Sequence, residues 1–132
     1  MNHRKAILLV DDHPVVREAL RDIIELTDDL RVFGEAESVA QALRKLKKSM
    51  PDAVLLDISL RKSNGFELLK EIRAGISSTL PVLMFSVLDG KKYAKLSLDA
   101  GAQGFVNKGE SIHTVLKALR TVLNGGTFLS SM

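Results

Sequence analysis

The sequence predicts an α/β fold: a doubly wound parallel sheet of five strands with five helices over its faces. Three observations lead there. Short apolar runs alternate with longer segments whose apolar residues recur at helical spacing. The run at 53–56, Ala-Val-Leu-Leu, is apolar throughout, as in a strand buried on both faces of a parallel sheet. A polar residue stands where each of four runs stops, namely Asp11 and Asp12, Asp57, Ser86 and Lys108.

The first strand is expected over 6–10, Ala-Ile-Leu-Leu-Val. Pro14 then suits the first position of a helix, where a missing N–H does no harm. Val16, Leu20, Ile23 and Ile24 give that helix an apolar stripe, and Thr27-Asp28-Asp29 ends it. A shorter second strand covers 30–35. Ser38 and Gln41 form a capping-box pattern ahead of a helix with Val39, Leu43 and Leu46 on one side. Met50-Pro51-Asp52 breaks it, since proline disfavours helix at the residue before it. After the third strand, 58–64 reads as a loop. Asn64 and Glu67 make a second capping box, for a helix carrying Phe66, Leu69 and Ile72 and closing at Gly75. A fourth strand at 81–85, a helix at 91–100 stopped by Gly101, and a short strand at 104–106 follow. The last helix, 111–123, is the best patterned, with Val115, Leu116, Leu119, Val122 and Leu123 together and Gly125-Gly126 beyond. Right-handed crossovers then leave the flavodoxin-like strand order 2-1-3-4-5 as the expected topology.

Composition narrows the function classes. At 132 residues the chain suits one domain. It has no cysteine, which removes disulfides and thiolate chemistry, and no apolar run long enough for a membrane helix. The N-terminal run is too short, and too soon followed by aspartates, for a signal peptide. Together these suit the cytoplasm. The net charge of +3 and pI near 9.3 permit an anionic partner without requiring one. The basic clusters at 44–48 and 91–92 have no aromatic residues interleaved and read as solvated helix faces.

In the order 2-1-3-4-5 the first and third strands are neighbours, so Asp11, Asp12 and Asp57 converge at the carboxyl edge of the sheet. Three carboxylates meeting there repel one another without a cation, and hard oxygen ligands suit Mg²⁺. Ser86 adds a hydroxyl and Lys108 a point positive charge, the groups that surround a phosphoryl unit. Asp57 ends the most buried strand and is the candidate carboxylate nucleophile. Each residue also has a plainer use. Asp12 can cap the first helix, Ser86 can form a turn, and Lys108 can face solvent. His13 adjoins the acidic pair, but Mg²⁺ rarely takes imidazole, so it is read as a bystander at the rim.

Leu9-Val10-Asp11-Asp12-His13, Leu55-Leu56-Asp57, Phe85-Ser86 and Val106-Asn107-Lys108 together resemble the signature of bacterial two-component response-regulator receiver domains, over nearly the whole chain. The resemblance implies a CheY-like fold and a phosphorylation-activated signalling switch. Asp57 would accept a phosphoryl group from a sensor histidine kinase or phosphotransfer protein. It implies Mg²⁺, with Mn²⁺ as the alternative, on Asp11, Asp12, Asp57 and the backbone carbonyl of Ser59. Ser86 and Lys108 would contact the phosphoryl oxygens, and Phe105 matches the switch aromatic that turns inward as Ser86 moves. Catalysis would be limited to the protein's own phosphorylation and dephosphorylation.

Asp11-Asp12-His13-Pro14-Val15-Val16-Arg17 and the ending Gly125-Gly126-Thr127-Phe128-Leu129-Ser130 resemble the NarL/LuxR-type subfamily. That implies a receiver over 1–126, a linker or tail beginning at 127–132, and a DNA-binding domain beyond it. DNA would be met only through that further domain, and the receiver would form a homodimer on activation. Phe128 and Leu129 are read either as a packing tail or as the start of an interdomain contact. A stand-alone receiver acting by protein–protein contact is the alternative, followed by a Mg²⁺-dependent phosphohydrolase. The latter wants Asp-x-Asp after the first strand, which the adjacent Asp11-Asp12 does not supply. A nucleotide- or flavin-binding module lacks its glycine-rich loop. Three positions depart from the commonest receiver pattern: Arg61 and Gly109 where prolines are frequent, and Val87 where a smaller residue is usual.

Overall fold

The computed structural model describes residues 3–60, 62–88 and 90–130; Arg61 and the end of the tail at 131–132 lie outside the described residues. The chain runs β1 (Lys5–Val10), α1 (Pro14–Glu25), β2 (Leu30–Ala36), α2 (Val39–Lys48), β3 (Ala53–Asp57), β4 (Ser59–Leu60), β5 (Ser63–Asn64), α3 (Gly65–Glu71), β6 (Val82–Ser86), α4 (Gly90–Asp99), β7 (Gly104–Asn107), α5 (Ile112–Leu123) and β8 (Phe128–Leu129). The main sheet has the order β2-β1-β3-β6-β7-β8, with every neighbouring pair parallel. Its first five strands reproduce the expected flavodoxin-like order, and five α-helices cover the two faces.

Strand alternation builds two cores. Leu8, Val10, Val54, Leu56, Val82, Met84 and Phe105 point to one face, where Leu46 of α2 and Leu68 and Leu69 of α3 meet them. Ile7, Leu9, Leu55, Leu83, Phe85 and Val106 point to the other, against Leu20 and Ile24 of α1 and Val115, Leu119 and Val122 of α5. All five residues of β3 are buried. Full burial of a leucine is worth roughly 2 kcal/mol, so the central strands are the best-anchored part of the molecule, and the site stands on their ends.

The caps follow the sequence closely. Ser38 Oγ accepts from the Gln41 N–H at 3.1 Å, while Gln41 Oε1 reaches back to the N–H of Glu37 at 3.0 Å, one residue earlier than in a standard capping box. Asn64 Oδ1 accepts from the Glu67 N–H at 3.2 Å. Ser111 is the N-cap of α5 and accepts from the Thr114 N–H.

Three expectations need correction. The stretch at 58–64 is not simply a loop: Ser59–Leu60 and Ser63–Asn64 pair antiparallel as a minimal hairpin. Gly75 does not close α3. The helix passes into a π-helical turn over Ile72–Ile76, and positive φ is found instead at Gly101 and Gly125. Arg73 in that turn donates to the carbonyls of Gly101, Ser77 and Leu80 and to Gln103 Oε1, so the widened turn is tied to the chain around β6 and β7. The sheet also has a sixth strand where five were expected, because Phe128–Leu129 lies beside β7. Gly104 permits that approach, since a Cβ there would come within 2.5 Å of the Phe128 carbonyl oxygen.

Candidate functional site

The acidic pair is placed by the end of β1 and the start of α1. The Asp11 N–H continues the sheet by donating to the Ala36 carbonyl at 3.0 Å. Pro14 opens α1, and the N-cap is His13, which makes no side-chain cap bond. Asp12 therefore does not cap α1, the plainer use open to it; it is buried in the site beside Asp11 and Asp57. Asp57 ends β3, and its Oδ1 accepts from the Ser59 N–H at 2.9 Å.

Lys108, just past β7, reaches across this edge. Its Nζ donates to Asp11 Oδ2 at 2.9 Å and to Asp57 Oδ2 at 3.0 Å, and lies 5.1 Å from the centre of the Phe85 ring. Its side chain is only 12% exposed, so the solvent-facing alternative is excluded. Burial pushes the Asp57 carboxyl above the ordinary carboxylate value and the charge of Asp11 adds to this, outweighing the hydrogen bonds from Lys108 and Ser59. Burial alone would lower Lys108, but its hydrogen bonds to Asp11 and Asp57 dominate and hold it above the ordinary lysine value.

One ligand atom each from Asp11, Asp12, His13 and Asp57 lies within 4.8 Å of the others. Among the described residues, three buried carboxylates gather here and the Lys108 ammonium meets two of them. That excess of negative charge, offered by hard oxygen donors, fits a divalent cation of the Mg²⁺ type. His13 is more involved than a rim residue. Its side chain is 55% exposed, yet Nδ1 turns inward to 2.6 Å from Asp11 Oδ1, 3.2 Å from Asp12 Oδ1 and 3.5 Å from Asp57 Oδ2.

Ser86 is buried at the end of β6, and its Oγ accepts from the Leu88 N–H at 3.0 Å. It thus forms the turn that was its plainer reading, at the strand end next to Asp57 in the sheet. Ser59, Val16, Val87 and Lys108 line a cleft of about 470 Å³ with Asp12, His13 and Asp57. Val87 is 71% exposed at its mouth. Phe105 is fully buried, in the cluster that contains Met84, Ala94 and Ala102. The Gly109 N–H donates to Asn107 Oδ1 at 2.8 Å, a bond that proline at this position could not make.

Two supporting residues escaped the sequence reading. Gly65 opens α3 directly over the end of β3, where a Cβ would come within 2.4 Å of the Asp57 carbonyl oxygen. The only sequence signal was a glycine beside a capping asparagine, which says nothing of what lies opposite. Arg17, in the first turns of α1, donates from Nη1 to the Asp11 carbonyl at 2.6 Å. Helical side chains lean toward the N-terminus, so its position four residues after His13 was a usable hint.

Comparisons with known proteins bear on the family and the fold. Residues 7–120 match the family model described as the response regulator receiver domain. The chain belongs to that family, whose members are signalling switches rather than conventional enzymes and bind Mg²⁺ at an acidic cluster. A putative transcriptional regulator of Pseudomonas aeruginosa is 36% identical over 119 residues, covering 90% of this chain and 56% of its own length. The nitrate/nitrite response regulator protein NarL of Escherichia coli is 33% identical over 124 residues, covering 94% of this chain and 57% of its own. A LuxR-family two-component response regulator from Aurantimonas sp. SI85-9A1 superposes with a TM-score of 0.91 at 32% identity, covering 97% of this chain and 91% of that one. The chain thus spans little more than half the length of these two curated relatives. No helix among the described residues is long and apolar enough to cross a membrane.

Proposed function

We propose that Asp57 accepts a phosphoryl group from a sensor histidine kinase or a phosphotransfer protein and carries it as a conformational signal. The observation that bears most of this reading is the position of Lys108, whose ammonium bridges Asp11 and Asp57 across three strands. It marks where negative charge is to be held. An Asp57 carboxylate oxygen forms the new O–P bond while the N–P bond of the donor's phosphohistidine breaks. The released imidazole keeps the bonding pair and takes a proton from solvent. Asp11, Asp12, Asp57 and the Ser59 carbonyl would hold a Mg²⁺ or Mn²⁺ ion, which would supply neutralisation of charge on the phosphoryl oxygens. Lys108 orients one of those oxygens, and Ser86 turns its hydroxyl toward another, giving up its contact with Leu88.

The product adds about −1.5 to −2 charge at Asp57. Phe105 serves as the switch aromatic. Its ring already lies inside, so the change on activation falls chiefly on Ser86 and on residues 87–88 after it. Catalysis extends only to the protein's own phosphorylation and dephosphorylation. Residues 1–126 act as the phosphoacceptor unit and 127–132 begin the linker of a LuxR-type transcriptional regulator. In that regulator, working in the cytoplasm, DNA is met through a further domain and the receiver pairs with a second copy on activation. The regulators that the chain resembles support this context. The test is intact-mass measurement after exposure to Mg²⁺ and a small acyl phosphate. One added phosphoryl group is expected with the wild type and none with Asp57→Asn. No adduct on the wild type, or an equal adduct on the variant, overturns the reading.

A further inference from the structure

The Asp11 side chain is bonded to His13 and Lys108, and its own backbone is held by a residue outside the acidic cluster. The N–H of Asp11 donates to the Ala36 carbonyl at 3.0 Å, and its carbonyl accepts from Arg17 Nη1 at 2.6 Å. Both faces of the peptide run into Asp11–Asp12 are therefore tied, one to β2 and one to α1. Arg17 is itself fixed. Its side chain is only 17% exposed, and Nε donates to Glu35 Oε1 at 3.3 Å, with Glu37 Oε2 3.9 Å from Nη1. Glu35, on β2, also accepts from Arg21 Nη1 at 3.1 Å. The guanidinium thus spans the start of α1, the end of β2 and the peptide that aims Asp12.

We infer that Arg17 is a positioning residue for the cation site: by clamping the Asp11 carbonyl through the Arg17–Glu35 pair, it sets the direction of the Asp12 carboxylate and so the affinity for Mg²⁺. The inference rests on the phosphoacceptor reading above. A planar fork suits the task. One edge donates to a carbonyl while another donates to a carboxylate, which a lysine ammonium on a flexible stem does less well. Because Glu35 and Glu37 both lie against its guanidinium, Arg17 acts through geometry and contributes little net repulsion to an incoming cation. Without the clamp the Asp11 carbonyl turns to solvent, the peptide plane swings, and Asp12 no longer meets Asp11 and Asp57 in one place. Groups that orient metal ligands in this way are worth about 10- to 100-fold in metal affinity.

The test is a Mg²⁺ titration of the full chain followed by backbone amide shifts, run beside phosphorylation by a small acyl phosphate at limiting and at saturating Mg²⁺. Arg17→Ala is expected to raise the Mg²⁺ dissociation constant about tenfold or more. It is also expected to shift the Asp12 amide before any cation is added, and to recover most of the phosphorylation rate once Mg²⁺ saturates. Arg17→Lys is expected to fall between Arg17→Ala and wild type. Arg21→Ala, which breaks the other arm to Glu35 and a contact with Asp22 but leaves the Arg17 bond to Asp11, is expected to keep wild-type affinity. A wild-type dissociation constant in both Arg17 variants, with the fold intact by amide dispersion, overturns the inference. So does a phosphorylation rate that stays low at saturating Mg²⁺. Equal losses in Arg21→Ala and Arg17→Ala also overturn it, since they make the network merely structural. If the wild type itself neither binds Mg²⁺ nor takes a phosphoryl group, the phosphoacceptor reading fails instead, and the two failures are distinct.

Discussion

At the scale of single residues the site is a balance of buried charges, and the balance gives signed expectations. Lys108 is held above the ordinary lysine value in the folded protein by Asp11 and Asp57, against the opposing effect of burial. Its contribution to stability is thus complete below the unfolded value and is lost as pH rises through the higher folded one. Lys108→Met leaves two buried carboxylates without their partner and should cost about 3–5 kcal/mol at neutral pH. In chemical denaturation the gap to wild type should narrow at strongly alkaline pH; a gap that stays constant to the highest pH that can be reached contradicts the assignment. Asp57 is perturbed the other way for an acid, since burial and Asp11 raise it. Folding then favours its protonated form, and its ionisation removes stability as pH rises from the ordinary carboxylate range through the raised value. Asp57→Asn should therefore melt a few degrees higher than wild type at neutral pH, and the advantage should shrink on acidification. Gly65→Ala places a methyl against the Asp57 carbonyl, a collision with backbone that cannot rotate away. It should destabilise by about 1–3 kcal/mol and move the Asp57 and Ser59 amide resonances. The acids and the lysine were legible in the sequence because each stands where an apolar run ends. Gly65 was not, because its role depends on what packs opposite it, and Arg17 offered only the lean of helical side chains toward the N-terminus.

At the scale of elements, the strands that carry the site are joined to the tail by specific bonds. Ser130 N–H donates to the Phe105 carbonyl at 2.9 Å, and Ser130 Oγ accepts from the Asn107 N–H at 2.8 Å. Asn107 Nδ2 in turn donates to the Leu88 carbonyl at 3.2 Å. Ser130→Ala leaves the Asn107 N–H without that acceptor and should cost about 1–2 kcal/mol. Faster hydrogen exchange at Asn107 with unchanged protection in β1 and β3 is the expected signature; uniform loosening of the sheet would argue against a local role for β8. This strand was invisible in the sequence, since two residues pairing in parallel leave no periodicity to read. The π-helical turn at Ile72–Ile76 was hidden for a related reason. Gly75 looked like a helix stop, whereas the bonds that shape the turn come from Arg73 to carbonyls 28 and fewer residues away. The long elements were read nearly to the residue because their caps and apolar stripes are local.

At the scale of the whole molecule, a net charge of +3 coexists with a deeply acidic edge. The fold gathers three carboxylates at the carboxyl ends of β1 and β3 and sets the Lys108 ammonium against two of them. Cation binding should then be visible as global stabilisation, about 2.7 kcal/mol at a hundredfold excess over the dissociation constant. The melting temperature should rise with Mg²⁺ in the wild type and hardly at all in Asp11→Asn. The strand order followed from the alternation of elements and the handedness of crossovers, and the sheet order in turn brought Asp11 and Asp57 together before any distance was known. The most direct test of the phosphoacceptor role is to locate the modified residue. The protein is phosphorylated in Mg²⁺, reduced with borohydride so that an acyl phosphate becomes homoserine, and sequenced by tandem mass spectrometry. Homoserine at position 57, with aspartate intact at 11 and 12, is the expected result. Homoserine at 11 or 12, or none anywhere in a protein that has taken up phosphate, would contradict it.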